Sequence, residues 1–163
     1  AVRDQHTMIA EHIGDKGLER AAAQTSKRIY DLPEFLVDVL GVTDVGAYFP
    51  HSVTYHPSCH GRRLIRLGDR PLKLLQNVRG MTLVDLPAEE QCCGFGGTFS
   101  VKNPDVSAAM AADKARHVRE TGAEYVVAGD NSCLLNIGGV LSRQNSGVKP
   151  IHLAEILANT EED

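Results

Sequence analysis

The sequence predicts an α/β fold: a small, mainly parallel, four-stranded sheet flanked by helices and preceded by a helical segment. Two observations predict it. From His51 onward, short apolar runs rich in β-branched residues alternate with helical periods, the grammar of strand–helix–strand units joined by crossovers. Before His51 the periodicity is helical only. Residues 1–50 are therefore expected to be a helical region with its connector, and residues 51–163 an α/β domain.

Taken in order, residues 1–29 read as helix. Met8, Ile9, His12 and Ile13 share one face, and Leu18, Ala21, Ala22, Thr25 and Ile29 resume the period after a break at Gly14 and Gly17. That apolar face is expected to lie against the main domain or another chain, because such a patch is rarely left in water. Asp31-Leu32-Pro33-Glu34 is a helix start with Asp31 as N-cap and Glu34 three residues on. Phe35, Leu36, Val39 and Leu40 form that helix's apolar side, and Gly41 ends it. Residues 42–52 connect. Val53 to His56 is the first strand, stopped by Pro57, and a helix capped by Asp69 with Pro71 in its first turn follows. Met81 to Leu86 is the second strand. Asn103-Pro104 opens a long helix with Val106, Ala109, Met110 and Val118 inward and His117 on its polar face. Tyr125 to Ala128 is the third strand, Leu134 to Leu141 a helix weakened by Gly138 and Gly139, Lys149 to Ile151 the fourth strand, and His152 to Ala158 the closing helix. Ile29 to Leu36 and Pro150 to Leu157 share a Leu-x-Glu-x-Leu core, a faint internal echo.

Composition narrows the function. Hydrophobic content of 42% and charged content of 23% are those of a globular chain with a real core. A net charge of −4 and a pI near 6.0 give no basic footprint for nucleic acid, and no apolar run reaches the ~18 residues of a membrane span. The chain opens Ala-Val-Arg-Asp-Gln-His without an initiator Met, so it is expected to be processed or cut from something longer. Its four cysteines do not read as a disulfide framework, since two of them are adjacent and would bridge only through a strained ring. Thiols kept for a metal or redox site, in a cytoplasmic setting, fit better.

The placement of those thiols is the main clue. Cys59 follows the first strand, Cys92 and Cys93 the second, Cys133 the third, and His152 the fourth. In an open parallel sheet, ligands bind off the carboxyl ends of the strands, so all five groups are expected at one edge. Gly94, Gly96 and Gly97 after the double cysteine free the backbone for a close approach. The competing reading is that these are small buried core residues, as cysteines often are. Four thiolates at one edge suit zinc or an iron–sulfur cluster. His56 and His60 flank Cys59 and either tune a bound group through hydrogen bonds to sulfur or simply end a strand and start a helix. For His152, ligation and a helix N-terminal position are equally good explanations. A phosphate-binding reading of Gly94-Phe95-Gly96-Gly97 is poor, because the next helix is placed only near Pro104.

His56-Pro57-Ser58-Cys59-His60, Cys92-Cys93-Gly94-Phe95-Gly96-Gly97, Asn131-Ser132-Cys133-Leu134 and His152-Leu153-Ala154-Glu155, in that order, resemble the cysteine-rich domain named for its Cys-Cys-Gly signature. That family includes a component of heterodisulfide reductase, the glycolate oxidase iron–sulfur subunit and the lactate utilization group, which the four motifs resemble most. The resemblance spans about residues 51–158. Family members usually carry two copies of the domain, so it implies a C-terminal copy preceded by the remnant of a first. It also implies an iron–sulfur electron-transfer subunit of a complex oxidising lactate or a related 2-hydroxy acid such as glycolate. Cys59, Cys92, Cys93 and Cys133 would hold the cluster, most simply 4Fe-4S, and the partners would be the other subunits of that complex. The chain departs from the fuller family pattern at Asn136, where a fifth cysteine would stand, which puts in doubt any cluster that needs five thiols. Four suffice for a cubane or for tetrahedral zinc. The alternatives are a zinc-binding structural or interaction domain and a dithiol–disulfide oxidoreductase working through Cys92.

Overall fold

A computed structural model of the chain describes residues 2–161; Ala1, Glu162 and Asp163, which the ranges above include, lie outside them. The sheet is four-stranded and entirely parallel, in the order β2-β1-β3-β4, with β1 Ser52–Tyr55, β2 Thr82–Val84, β3 Tyr125–Ala128 and β4 Lys149–His152. Register is fixed by pairs such as Val53 with Leu83 and Thr54 with Val126, and His56 extends the ladder by donating its backbone N–H to Val127 O at 2.8 Å. The two central strands, β1 and β3, are largely buried between crossover helices, while the edge strands β2 and β4 are partly exposed.

Successive strand residues point to opposite faces, so the sheet divides the core into two layers. On one face, Val53 and Val127 pack with Leu74, Leu75 and Val78 of helix α4 (Arg70–Gln76) and its C-terminal turn. Leu153, Ile156 and Leu157 of α8 (Leu153–Ala158) join them, together with Ala47 and Phe49 from the connector. On the other face, Val126 meets Ala115 and Val118 of α6 (Pro104–Glu120) and Ile137 and Leu141 of α7 (Asn131–Arg143), with Cys93 and Cys133 in the same cluster. Each large aliphatic side chain buried here contributes about 1.5–3 kcal/mol. Gly138, which weakens α7 on propensity, is where the helix crosses β4. A Cβ there would stand 2.8 Å from Pro150 Cγ, so the glycine permits the close helix–sheet contact.

Before the sheet, α1 (Val2–Ile13) and α2 (Lys16–Ser26) form a hairpin broken at Gly14, with Asp15 capping α2 through Gly17 N–H and Leu18 N–H. The expected cover for its apolar face is not found in the main domain. Met8, Ile9, Ile13 and Leu18 are all exposed, Ile9 at 52% and Leu18 at 49%, because the two helices pack chiefly on each other. Arg3 pairs with Glu34 and ties α1 to the next helix.

Both members of the sequence echo are capping boxes. Asp31 and Glu34 open α3 (Leu32–Glu34), which runs on as a π-helical turn, Phe35–Val39; His152 and Glu155 open α8. In that π-helical stretch Leu36 and Val37 meet the core while Phe35, Val39 and Leu40 are exposed, because the wider turn shifts the face set by a 3.6 period. Three other expectations are corrected. The inward face of α6 is Ser107, Ala111, Lys114, Ala115 and Val118, with Val106 exposed, because a small-residue face lets the helix lie close to its neighbours. His117 is buried rather than solvated. A short helix α5 (Thr98–Lys102) directly follows Gly97, so the next helix comes sooner than Pro104. The glycines before it serve packing: a Cβ on Gly94 would stand 2.5 Å from Ser107 O, and one on Gly96 2.9 Å from Phe99 Cβ. No helix among the described residues is long and apolar enough to cross a membrane.

Candidate metal centre

The sheet order makes β1 the strand at which the chain reverses direction: it goes to β2 on one side and returns to β3 on the other. The crevice off the carboxyl ends of β1 and β3 is therefore the topological switch point, where open α/β sheets bind ligands. Cys59 leaves β1 through Pro57-Ser58 and caps a π-helical turn, His60–Leu64, whose Gly61 N–H donates to Ser58 Oγ at 2.9 Å. Cys133 sits in the first turn of α7, oriented by Asp130, whose carboxylate accepts from Ser132 N–H at 2.9 Å. Cys92 and Cys93 come from the irregular loop after β2, which Arg62 pins to the Cys59 turn through ion pairs with Glu89 and Glu90.

The structure brings all four together. Cys59, Cys92, Cys93 and Cys133 line one open cleft of about 480 Å³, with His60, Arg63 and Phe95 on its walls. All four are free thiols. Cys93 and Cys133 are buried with their sulfurs 3.1 Å apart, while Cys59 and Cys92 are half-buried nearer the mouth. The Cys92 sulfur accepts from Gly94 N–H at 3.3 Å, and this irregular turn lets two adjacent thiols, which a regular strand would point to opposite faces, line the same cleft. Asn136 donates from Nδ2 to Cys93 O at 2.8 Å and anchors the loop.

The thiols are electrostatically unequal. Cys93 is pulled down to about 4, chiefly by the hydrogen bond from the Cys133 thiol, with the His56 ring and the Phe95 backbone adding to it against burial. Cys133 is correspondingly pushed up, by the same bond and by burial. The two sulfurs share one hydrogen bond, which favours negative charge on Cys93. Burial, followed by the nearby Cys92, pushes the Cys59 thiol up. Sulfurs gathered this closely are poised to exchange protons for a cation, since only thiolate ligates metal.

Two residues complete the site beyond the four thiols. His56 is fully buried, and both of its ring nitrogens lack a hydrogen-bond partner. Its ring nitrogen and the sulfurs of Cys93 and Cys133 all lie within 4.8 Å of one another. A buried polar atom left unpaired costs about 1–3 kcal/mol, so an orphaned imidazole among thiols fits a site built for a metal. Lys114 is also fully buried. Its ammonium donates to Ala88 O at 2.7 Å and Glu89 O at 3.4 Å, holding the loop that leads to Cys92. Burial lowers its pKa, while Cys93, Cys59, Glu89 and Cys92 pull it back up. A lysine in a helical period reads as a solvated face, so only the structure assigns it. His152 is accounted for locally: its Nδ1 accepts from Ala154 N–H at 3.1 Å and its backbone N–H donates to Glu155. His60 is exposed at the rim.

The four thiols and the clustered His56 imidazole dominate the donor set, although Asp130 also lines the cleft, and soft donors of this kind suit zinc or iron–sulfur chemistry. Residues 53–138 match the family model of the cysteine-rich domain, a span that contains all four cysteines. The chain is similar to lactate utilization protein A of Oceanobacillus iheyensis (53% identical over 88% of this chain and 59% of that protein). It is likewise similar to those of Lysinibacillus sphaericus (46%; 88% and 63%) and Geobacillus kaustophilus (47%; 88% and 60%). It thus spans about three fifths of the length of these curated relatives. The cysteine cleft at the switch point and the matched span agree: the chain belongs to the cysteine-rich domain family.

Proposed function

We propose that this protein is an iron–sulfur electron-transfer subunit of a system that oxidises lactate or a related 2-hydroxy acid. The observation that carries the reading is the convergence of four free thiols from three separate loops on one cleft at the carboxyl edge of the sheet. The relatives' name, lactate utilization protein A, supports the lactate setting. Cys59, Cys92, Cys93 and Cys133 would hold the group, which when bound supplies reversible one-electron storage. The chain's own residues do the rest. Asn136 and Lys114 fix the loop that presents Cys92 and Cys93. The α6 and α7 layer keeps Cys93 and Cys133 dry, and the half-buried Cys59 and Cys92 leave the cleft open toward a partner subunit that would deliver or remove the electron. Neither a catalytic acid–base pair nor a 2-hydroxy acid site is part of this reading, so substrate chemistry belongs to the partners.

A zinc-binding structural domain is the second reading, favoured by the compact His56–Cys93–Cys133 group. Chemical analysis of iron and acid-labile sulfide, after anaerobic reconstitution of the chain, separates the readings. Iron and sulfide in a brown protein are expected, and the single Ser variants at Cys59, Cys92, Cys93 and Cys133 should each retain roughly half or less. Parental iron and sulfide in all four variants would overturn the electron-transfer reading.

A further inference from the structure

We infer that His56 is itself a metal ligand, the fifth donor of the centre. The inference rests on the metal-binding reading of the cleft and names a residue that the four-cysteine set leaves out. The family pattern would place a fifth thiol at position 136, but Asn136 is engaged with the Cys93 carbonyl, so that position offers no donor. The chain places an imidazole in the same layer. His56 continues the β1 ladder one residue past the strand's end, which drives its side chain into the interior beside Cys93 and Cys133. There it is sealed from water, with neither ring nitrogen hydrogen-bonded. Other histidines have at least one engaged ring nitrogen: His152 caps a helix, His51 pairs with Glu124, and His117 Nε2 meets the Arg116 guanidinium at 3.0 Å while its Nδ1 is buried without a partner. A histidine kept for packing alone would gain by being replaced with an apolar residue. The His56 ring already bears on the Cys93 sulfur, which it helps hold below the usual thiol range, and it lies within ligand distance of both buried sulfurs.

Ligation resolves the anomaly. A metal ion bound jointly by Cys93, Cys133 and His56 satisfies one ring nitrogen and displaces the proton that the two sulfurs now share. The other ring nitrogen then needs an acceptor, and Thr54 Oγ1, two residues back on the same strand face, is a second buried side-chain atom without a partner. The site would thus be a mixed sulfur–nitrogen one, with Cys59 and Cys92 completing it on the open side. Replacing a thiolate by a neutral imidazole removes one negative charge, and in clusters that raises the reduction potential.

The test uses the whole 163-residue chain labelled with ¹⁵N-histidine, prepared anaerobically in two arms. In one arm it is reconstituted with iron and sulfide, and nitrogen coupling is read by pulsed EPR. In the other it is loaded with Zn(II) alone and read by X-ray absorption, where a nitrogen shell at ~2.0 Å is distinct from sulfur at ~2.3 Å. Histidine coupling that disappears in His56→Cys with iron retained, and persists in His60→Gln, is the expected result. Zn(II) affinity should fall by roughly 100-fold or more in His56→Ala, beyond the loss of a residue that only supports a ligand. The labelled parent keeps the question open to refutation even if that variant folds poorly. Bound iron and sulfide without histidine coupling would overturn the ligand assignment and leave the electron-transfer reading standing. Zn(II) held with one His56 nitrogen, but no retained sulfide, would uphold the assignment and overturn the cluster. Zn(II) held by sulfur alone, or no metal in either arm, overturns the assignment.

Discussion

At the scale of single residues, the site is a set of thiols whose loops are held by unconspicuous partners. Lys114 is the clearest case. Its ammonium bonds the carbonyl of Ala88, a residue in the left-handed region at φ 49°, and so stabilises the bend that sends the chain on to Cys92. Lys114→Met keeps the aliphatic stem but strips the donor from two buried carbonyls, and should cost about 1–3 kcal/mol in urea unfolding. Iron retention should fall alongside, because the loop carrying Cys92 and Cys93 loses its anchor. Unchanged stability and metal content would mean that the lysine merely fills space. Which residues were readable follows the same division. The cysteines were, because their type and their place after strand-like runs carry the chemistry on their face. Lys114 and the orphaned nitrogens of His56 were not, since both are defined by what surrounds them after folding and not by their own identity.

At the scale of elements, local rules that act within four residues were legible, and rules set by distant packing were not. The Asp31–Glu34 and His152–Glu155 boxes were readable because a cap is a local hydrogen-bond exchange. The face of α6 was not, because its inward stripe of Ser107, Ala111 and Ala115 is chosen by the close approach of Gly94 to Ser107 O. The π-helical turns after Glu34 and Cys59 leave no signature in a 3.6 period. Glu34 shows what a local motif gains in context. It accepts from Asp31 N–H at 3.0 Å and also takes the Arg3 guanidinium, which holds its carboxyl below the usual range. A carboxylate with a lowered native pKa stabilises the fold above its unfolded value and loses that contribution as pH falls through the native one. Glu34→Gln should therefore cost about 1 kcal/mol in urea unfolding at pH ~7, and the gap from the parent should close by pH ~3. A gap that is independent of pH would assign the effect to packing instead of charge.

At the scale of the whole molecule, the two core clusters draw no residue from the described part of the first 30, while residues 47 and 49 belong to one of them. The α1–α2 hairpin is joined to the rest through the Arg3–Glu34 pair and leaves an apolar groove between its helices, lined by Ile9, Ile13 and Leu18 among others. The sequence signalled that face correctly as apolar; what covers it is not a property of local periodicity, and the main domain does not. Cooperativity follows shared burial, so the parallel sheet and its cysteine cleft should fold without the hairpin. Deleting residues 1–30 is expected to preserve a single unfolding transition and the iron bound on reconstitution, with a loss of about 1 kcal/mol or less for the severed Arg3–Glu34 ion pair. Calorimetry and iron analysis on the shortened chain check this together. Loss of the cooperative transition would show that the hairpin helps build the domain and is more than an appendage to it. A transition retained without iron would instead place a determinant of the metal centre in the first 30 residues, although none of the described ones lines the cleft.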